Sequence, residues 1–122
     1  MTLRHFARYW LPPLLYVLLI TLLSHMTHPP LPSGLEANLL HVPEYALLGL
    51  LLARALQAGA QGKAAPQVLA SALVLAVLLG GLDEFHQAFV PGRMPDPMDW
   101  VNDTAGAVLG VCSWGLWTWL RR

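Results

Sequence analysis

The stretch that decides the fold runs from Gly80 to Gly110 and reads GGLDEFHQAFVPGRMPDPMDWVNDTAGAVLG. It places many polar and ionisable side chains between two long apolar runs. Its candidate functional residues are Asp83, Glu84, His86, Gln87, Arg93, Asp96, Asp99 and Asn102. Ionisable groups in such a setting point to a ligand-binding or catalytic function, to helix capping, or to both.

The composition of the whole chain is that of a membrane protein. Of its 122 residues, 11% are charged and 56% are hydrophobic, whereas a soluble domain carries roughly 25% charged residues. A chain so poor in charge lacks the surface to face water on all sides. The net charge is zero, which gives no reason to propose nucleic acid as a partner. The length predicts one domain covering residues 1–122.

Four apolar runs predict an all-α fold, a four-helix transmembrane bundle. The helices are expected at about residues 8–25, 39–57, 67–88 and 97–120, close to the roughly 20 residues that cross the hydrocarbon core. The first run ends without the small residues that a signal peptidase reads, so we expect an uncleaved spanning helix. His25 and His28, in the proline-rich loop that follows, are expected to be solvated.

The placement of lysine and arginine orients this predicted bundle. One side receives Arg4, Arg8, Arg54, Lys63, Arg121 and Arg122. Only Arg93 falls on the other side, so the positive-inside rule places both termini in the cytoplasm. His41 and Glu44, at the start of the second helix, then join the stretch from Gly80 to Gly110 at the extracytoplasmic face.

Three interpretations compete for these polar residues. A divalent metal could be bound by histidines and carboxylates; the candidate ligands are His41, His86, Asp83 and Glu84. Alternatively, Glu84 and His86 could act as general base and acid, with Arg93 binding a phosphate or carboxylate. The third interpretation is structural, with Glu44, Glu84 and Arg93 forming an ion-pair network that fixes helix packing.

Other residues of the stretch have mainly structural interpretations. Asp96 before Pro97 is typical of a helix N-cap followed by a proline in the first turn. Asn102, Gly106 and Gly110 repeat every four residues, which predicts a packing face from which Asn102 bonds to another helix. This stripe leaves two arrangements open, a monomeric bundle or a homo-oligomer paired through Gly106.

Three motifs together resemble a known family. They are HVPEY at 41–45 with Leu48-Gly49, DEFHQAFVPGR at 83–93, and Asp99, Asn102, Gly106 and Gly110. With these motifs the chain resembles the VanZ-like family of small bacterial membrane proteins. The resemblance implies a four-helix protein of the bacterial cytoplasmic membrane, related to a protein that confers low-level resistance to the glycopeptide teicoplanin. It implies no particular reaction and no cofactor.

The polar residues predict a bilayer protein that binds an anionic head group at its outer face, and the resemblance implies that this group belongs to a lipid or a peptidoglycan precursor. The predicted ligand-binding residues are Arg93, Glu84, His86, Gln87, His41, Glu44, Asp99 and Asn102. One alternative is a metal-dependent or acid/base membrane enzyme acting on a lipid-linked phosphate or glycan. Another is a structural partner of a second membrane protein.

Overall fold

The computed structural model describes residues 1–28, 31–34, 37–60 and 66–122. Within these residues the chain is all-helical, with α1 Leu3–Tyr9, α2 Leu11–Ser24, α3 His41–Gly59, α4 Pro66–Gln87 and α5 Pro97–Leu120. A short 3-10 turn, Ala37–Leu40, leads into α3. Lys63, one of the residues used to orient the bundle, lies outside the described residues.

The first predicted helix is divided in two at Trp10. Here α1 and α2 meet at a bend of 47°. Pro12 and Pro13 lack a backbone N–H, so they interrupt a continuous helix but fit the first turn of a new one. The N-terminal piece begins earlier than predicted, because the Thr2 hydroxyl caps it by accepting a hydrogen bond from the His5 N–H at 3.2 Å.

The closest helix contact joins α3 to α5 through glycines. A Cβ built at Gly110 would lie 1.9 Å from the Ala46 carbonyl oxygen, and one at Gly106 would lie 2.2 Å from another carbonyl of α3. On the α3 side, a Cβ at Gly49 would lie 2.7 Å from the Ala107 carbonyl oxygen. Only hydrogen atoms fit at these positions, so the two backbones pack as membrane helices do through small residues. The predicted glycine stripe of α5 therefore packs against another helix of the same chain.

Small side chains also bring α4 into the core. Ala72 and Ala76 of α4 are fully buried, as are Ala53 of α3 and Ala107 of α5. Larger side chains of α2 and α3 fill the remaining space near the polar end; they include Ile20, Tyr45 and Leu48. Because α3, α4 and α5 approach closely, polar side chains near the helix ends are brought within hydrogen-bonding reach of one another.

The outer surface of the helices is apolar. On α2, Leu14, Leu18 and Leu22 are each about half exposed, and Leu78 and Leu82 of α4 are more than half exposed. Two segments have the length and mean hydropathy of membrane spans, Asn38–Gly59 at 1.4 and Pro66–Gln87 at 1.9. The bent pair of α1 and α2 makes a third if it is one span. These features are those of a membrane protein.

In the described part of the chain, α5 is not among the candidate spans. It has 24 residues, but its first two turns carry Asp99, Asn102 and Asp103. Its position beside α3 is fixed by the glycine contacts rather than by hydropathy. By length and mean hydropathy, the described helices therefore supply two or three spans rather than the predicted four.

Candidate functional site

A buried histidine–aspartate pair joins α3 to α5. Asp103 is 1% exposed, because it lies three residues before Gly106 on the face of α5 that packs against α3. Its carboxylate accepts a hydrogen bond from the His41 imidazole, with Nδ1 and Oδ1 2.7 Å apart. Gly80 of α4 leaves room for this carboxylate, since a Cβ there would lie 3.3 Å from Asp103 Oδ2. The hydrogen bond from His41 compensates the charge of the Asp103 carboxylate, which would be costly to bury without a partner.

Asp99 places a second carboxylate beside the same imidazole. It lies one helical turn before Asp103, and its Oδ2 is 3.5 Å from His41 Nε2. The histidine side chain is 14% exposed and stands at the first residue of α3. With Nδ1 donating to a buried carboxylate, the imidazole is held in one orientation, which is what a proton-transferring histidine requires.

A second polar group ties α2 to α4. The Ser24 hydroxyl donates to Asp83 Oδ2 at 2.7 Å, and the Gln87 side-chain amide donates to the same oxygen at 3.1 Å. Ser24 and Gln87 are 7% and 4% exposed, so these hydrogen bonds lie inside the protein. Three side chains therefore hold the end of α2 against the last turns of α4.

Two histidines extend this second group towards the surface. His25 Nδ1 and His86 Nε2 lie 3.2 Å apart and share one hydrogen bond. Nearby, the Thr27 hydroxyl donates to the Pro91 carbonyl at 3.0 Å, so the turn after α4 is also attached to the end of α2. The sequence-based expectation that His25 is merely solvated is incomplete, because this exposed side chain has a protein partner.

A third group connects α4 to the start of α5. Glu84 accepts a hydrogen bond from the Asp96 backbone N–H. The Asp96 carboxylate in turn accepts from the Met98 N–H at 2.9 Å, which confirms the predicted N-cap. The Trp100 indole donates to the Val77 carbonyl at 3.0 Å. Glu84 thus positions the segment that leads into α5.

In the described chain, Arg93 forms no ion pair with the carboxylates with which it was grouped. Its Nε is buried and has no hydrogen-bond partner among the described residues. Glu44 is half-buried, and its backbone carbonyl accepts from the Tyr16 hydroxyl at 3.2 Å. Although Arg93, Glu44 and Glu84 all lie in the described part of the chain, no ion pair joins them. The proposed ion-pair network is therefore not formed.

The predicted site residues separate into three groups at one end of the bundle. His41 and Asp99 belong to the first, Asp83, His86 and Gln87 to the second, and Glu84 to the third. Asn102 is half-buried, and the interhelical hydrogen bond expected of it is formed one residue later by Asp103.

The candidate metal ligands are divided among these groups. Among the described residues, no set of three or more histidine, cysteine, aspartate or glutamate side chains is arranged to hold a metal ion. His41 directs its two ring nitrogens at two different carboxylates, while His86 faces His25. The four candidates therefore do not share one centre in this arrangement.

Two partners of the site escaped the sequence analysis, Asp103 and Ser24. A signal for Asp103 was present: it follows Asp99 by four residues and precedes Gly106 by three, so helical spacing places it on the glycine face. Ser24 offered no comparable signal. It ends an apolar run, and its contact with Asp83 depends on how α2 packs against α4.

An apolar groove runs between α2, α3 and α4 and ends at the second polar group. Val17, Ile20, Leu48 and Leu79 line its apolar part, and Asp83, His86, Thr21 and Tyr45 lie towards its polar end. Its volume is about 240 Å³. The groove therefore combines an apolar channel with a carboxylate and an imidazole at one end.

This combination of motifs and helices agrees with a family comparison. The model of the family described as VanZ/LLP1 matches residues 4–118. The chain belongs to the VanZ/LLP1 family. No curated protein and no solved structure is a significant match. The VanZ-like resemblance carried by the motifs between His41 and Gly110 is confirmed, and the family match adds α2 and nearly all of α1 and α5.

In this VanZ/LLP1 protein the charges are sorted between the two ends of the bundle. All the described carboxylate side chains lie at the end where α4 meets α5 and α3 begins: Glu44, Asp83, Glu84, Asp96, Asp99 and Asp103. The described arginines lie at the opposite end, except Arg93. We call these two ends the acidic end and the basic end.

Proposed function

We propose that this protein crosses the bilayer four times and binds the head group of a cell-envelope amphiphile at its acidic end, on the extracytoplasmic side. The bent pair of α1 and α2 serves as one span. At 1.5 Å per residue, the 24 residues of α5 extend about 36 Å, enough for a hydrocarbon core about 30 Å thick. The basic end then faces the cytoplasm with both termini.

The apolar groove carries this proposal. An amphiphile has an apolar chain joined to a polar head, and the groove has apolar walls that end at Asp83 and His86. Because the groove lies among candidate membrane spans, lipid chains surround it and need no passage through water to enter. The chain of the ligand would lie along Val17 and Leu79, with its head group at the acidic end.

The head group is expected to contain a phosphate together with hydroxyl or amine groups. Arg93 is the lone arginine of the acidic end in the described chain, and its buried Nε lacks a protein acceptor. The other N–H groups of the Arg93 guanidinium form a fork that can donate to phosphate oxygens. At the polar end of the groove, the Asp83 carboxylate favours donors such as hydroxyls. Lipid head groups and peptidoglycan precursors have this chemistry, which also supports a role in the cell envelope.

A binding experiment tests the groove and the arginine separately. The full chain in detergent micelles is titrated with a radiolabelled prenyl phosphate and with the matching prenol. We expect Leu79→Trp to weaken the binding of both ligands about tenfold, because the indole fills the groove. Arg93→Gln should weaken only the binding of the prenyl phosphate, also about tenfold, because it removes a charged hydrogen bond.

The neighbouring residue Leu78 provides a matched control for the groove. It is 57% exposed and does not line the groove, so Leu78→Trp should bind both probes as the wild type does. Equal binding by Leu79→Trp and Leu78→Trp would refute the groove. In a host that depends on this protein, Arg93→Gln and Glu84→Gln should raise teicoplanin susceptibility; unchanged susceptibility in well-expressed variants would refute the envelope role of this site.

An acid/base enzyme is the second candidate, favoured by the orientation of His41. Its Nδ1 is held by Asp103 and its Nε2 lies near the second carboxylate, Asp99. A histidine held in this way can pass a proton to a leaving group. If a prenyl pyrophosphate is hydrolysed, wild type should release phosphate and His41→Gln should lose at least a hundredfold in rate. Equal rates would exclude His41 as the catalytic group.

A further inference from the structure

A second cavity lies at the basic end, between α1, α3 and α5. Its volume is about 270 Å³, and its lining includes Arg8, Tyr9, Arg54, Gln57, Trp114 and Trp117. It is separate from the apolar groove, which lies between α2, α3 and α4 near the acidic end. Nothing proposed for the acidic end depends on it.

Two arginines from different helices converge on this cavity. The guanidinium carbon of Arg54 lies 5.0 Å from the centre of the Tyr9 ring, and that of Arg8 lies 5.4 Å from the same centre. Within the described residues neither arginine forms an ion pair with a carboxylate side chain, since those side chains lie at the acidic end. Two positive charges that line one cavity repel each other, so an anion bound in that cavity would be stabilised.

The remaining walls suit a lipid better than a free ion. Trp114 and Trp117 stack with ring centres 4.9 Å apart, and the Trp114 indole N–H donates to the Gln57 side chain. Tryptophan is enriched where a protein meets the membrane–water interface. Arg54 lies five residues before the end of a candidate span, so a span that ends at Gly59 would bring the cavity close to the membrane–water interface.

We propose that this cavity binds the phosphodiester of an anionic phospholipid. Arg8 and Arg54 provide forked donors for the phosphate oxygens, and the paired indoles pack against the glycerol and the first carbons of the acyl chains. Basic pockets between membrane helices bind lipid head groups in this way. The site would therefore hold a lipid of the leaflet at the basic end.

Thermal unfolding of the full chain in detergent micelles tests this site. Phosphatidylglycerol and phosphatidylcholine are added separately at equal mole fraction. Phosphatidylglycerol should raise the midpoint temperature by several degrees more, because a ligand that binds only the folded state stabilises it. Arg8→Gln and Arg54→Gln should each weaken the apparent affinity for phosphatidylglycerol about tenfold. Arg54→Lys, which keeps the charge and loses the fork, should weaken it less than Arg54→Gln.

Arg4 supplies the matched control. It lies one turn before Arg8 on α1 and does not line the cavity, so Arg4→Gln should leave the effect of phosphatidylglycerol unchanged. Equal shifts with the two lipids would overturn the proposal. An equal loss in Arg4→Gln would also overturn it, because general charge attraction would then suffice. If soluble glycerol phosphate alone stabilised the protein as much as phosphatidylglycerol does, the ligand would be a free phosphate compound and the proposal of a lipid would be overturned.

Discussion

Replacing Gly110 by alanine is expected to lower the free energy of unfolding by about 3 kcal/mol, near the upper end for overpacking a tight contact. The added Cβ would lie 1.9 Å from the Ala46 carbonyl oxygen and 2.9 Å from the Leu50 backbone nitrogen. These are backbone atoms, so no side-chain rotation can relieve the overlap. The helices α3 and α5 must move apart. Reversible unfolding in mixed micelles, followed by circular dichroism, measures the loss.

Gly59 is the control for this change. It lies on α3, and a Cβ there would have nothing within 4 Å. Gly59→Ala should therefore be neutral or slightly stabilising, because alanine favours the helix. A loss below about 1 kcal/mol in Gly110→Ala would contradict the close packing of α3 against α5. If Gly110→Ala instead left folding intact and dissociated an oligomer in sedimentation experiments, the stripe would act between chains.

Sequence patterns were sufficient for the features that depend on local chemistry. The Asp96 cap requires only a side chain that can reach an N–H two residues later, and proline at the next position reinforces it. The glycine stripe at Gly106 and Gly110 follows from helical spacing alone. The all-helical class follows from long apolar runs, and the family from motifs at 41–45 and 83–93, as the match over residues 4–118 confirms.

The same patterns could not determine which polar groups meet. His41 was grouped with His86 because both lie at the acidic end, yet it pairs with Asp103, and His86 pairs with His25. The rotation of each helix about its axis decides these partners. That rotation depends on glycine contacts between distant segments. Arg93 illustrates the same limit, since proximity in sequence to Glu84 does not produce an ion pair.

The glycine contact and the polar site are parts of one arrangement. Asp103, Gly106 and Gly110 lie on a single face of α5, so the approach that buries the glycines also carries the carboxylate against α3. His41 is the first residue of α3, and its imidazole donates a hydrogen bond to the Asp103 carboxylate there. A change that separates these helices should therefore disturb the acidic end as well as the core.

Replacing His41 by alanine is expected to lower the free energy of unfolding by about 3 to 5 kcal/mol, because Asp103 would be left as a buried charge without a partner. Asp103→Ala should destabilise less, since a neutral imidazole can remain at the partly exposed position of His41. The double variant His41→Ala/Asp103→Ala should be more stable than the sum of the two single losses predicts. Unfolding of all three variants in mixed micelles forms a double-mutant cycle.

Asp99 is the control that distinguishes the contribution of the buried pair, His41 and Asp103, from a general effect of charge. Its carboxylate is 3.5 Å from His41 and its side chain is 14% exposed, against 2% for Asp103. Asp99→Asn should therefore lower the free energy of unfolding by less than about 1 kcal/mol, because a partly hydrated ion pair contributes little to stability. If the losses in the cycle were additive, His41 and Asp103 would not be coupled in the folded protein. Strong coupling, with His41 variants still binding the prenyl phosphate normally, would assign the pair to holding α3 against α5 rather than to recognising the head group.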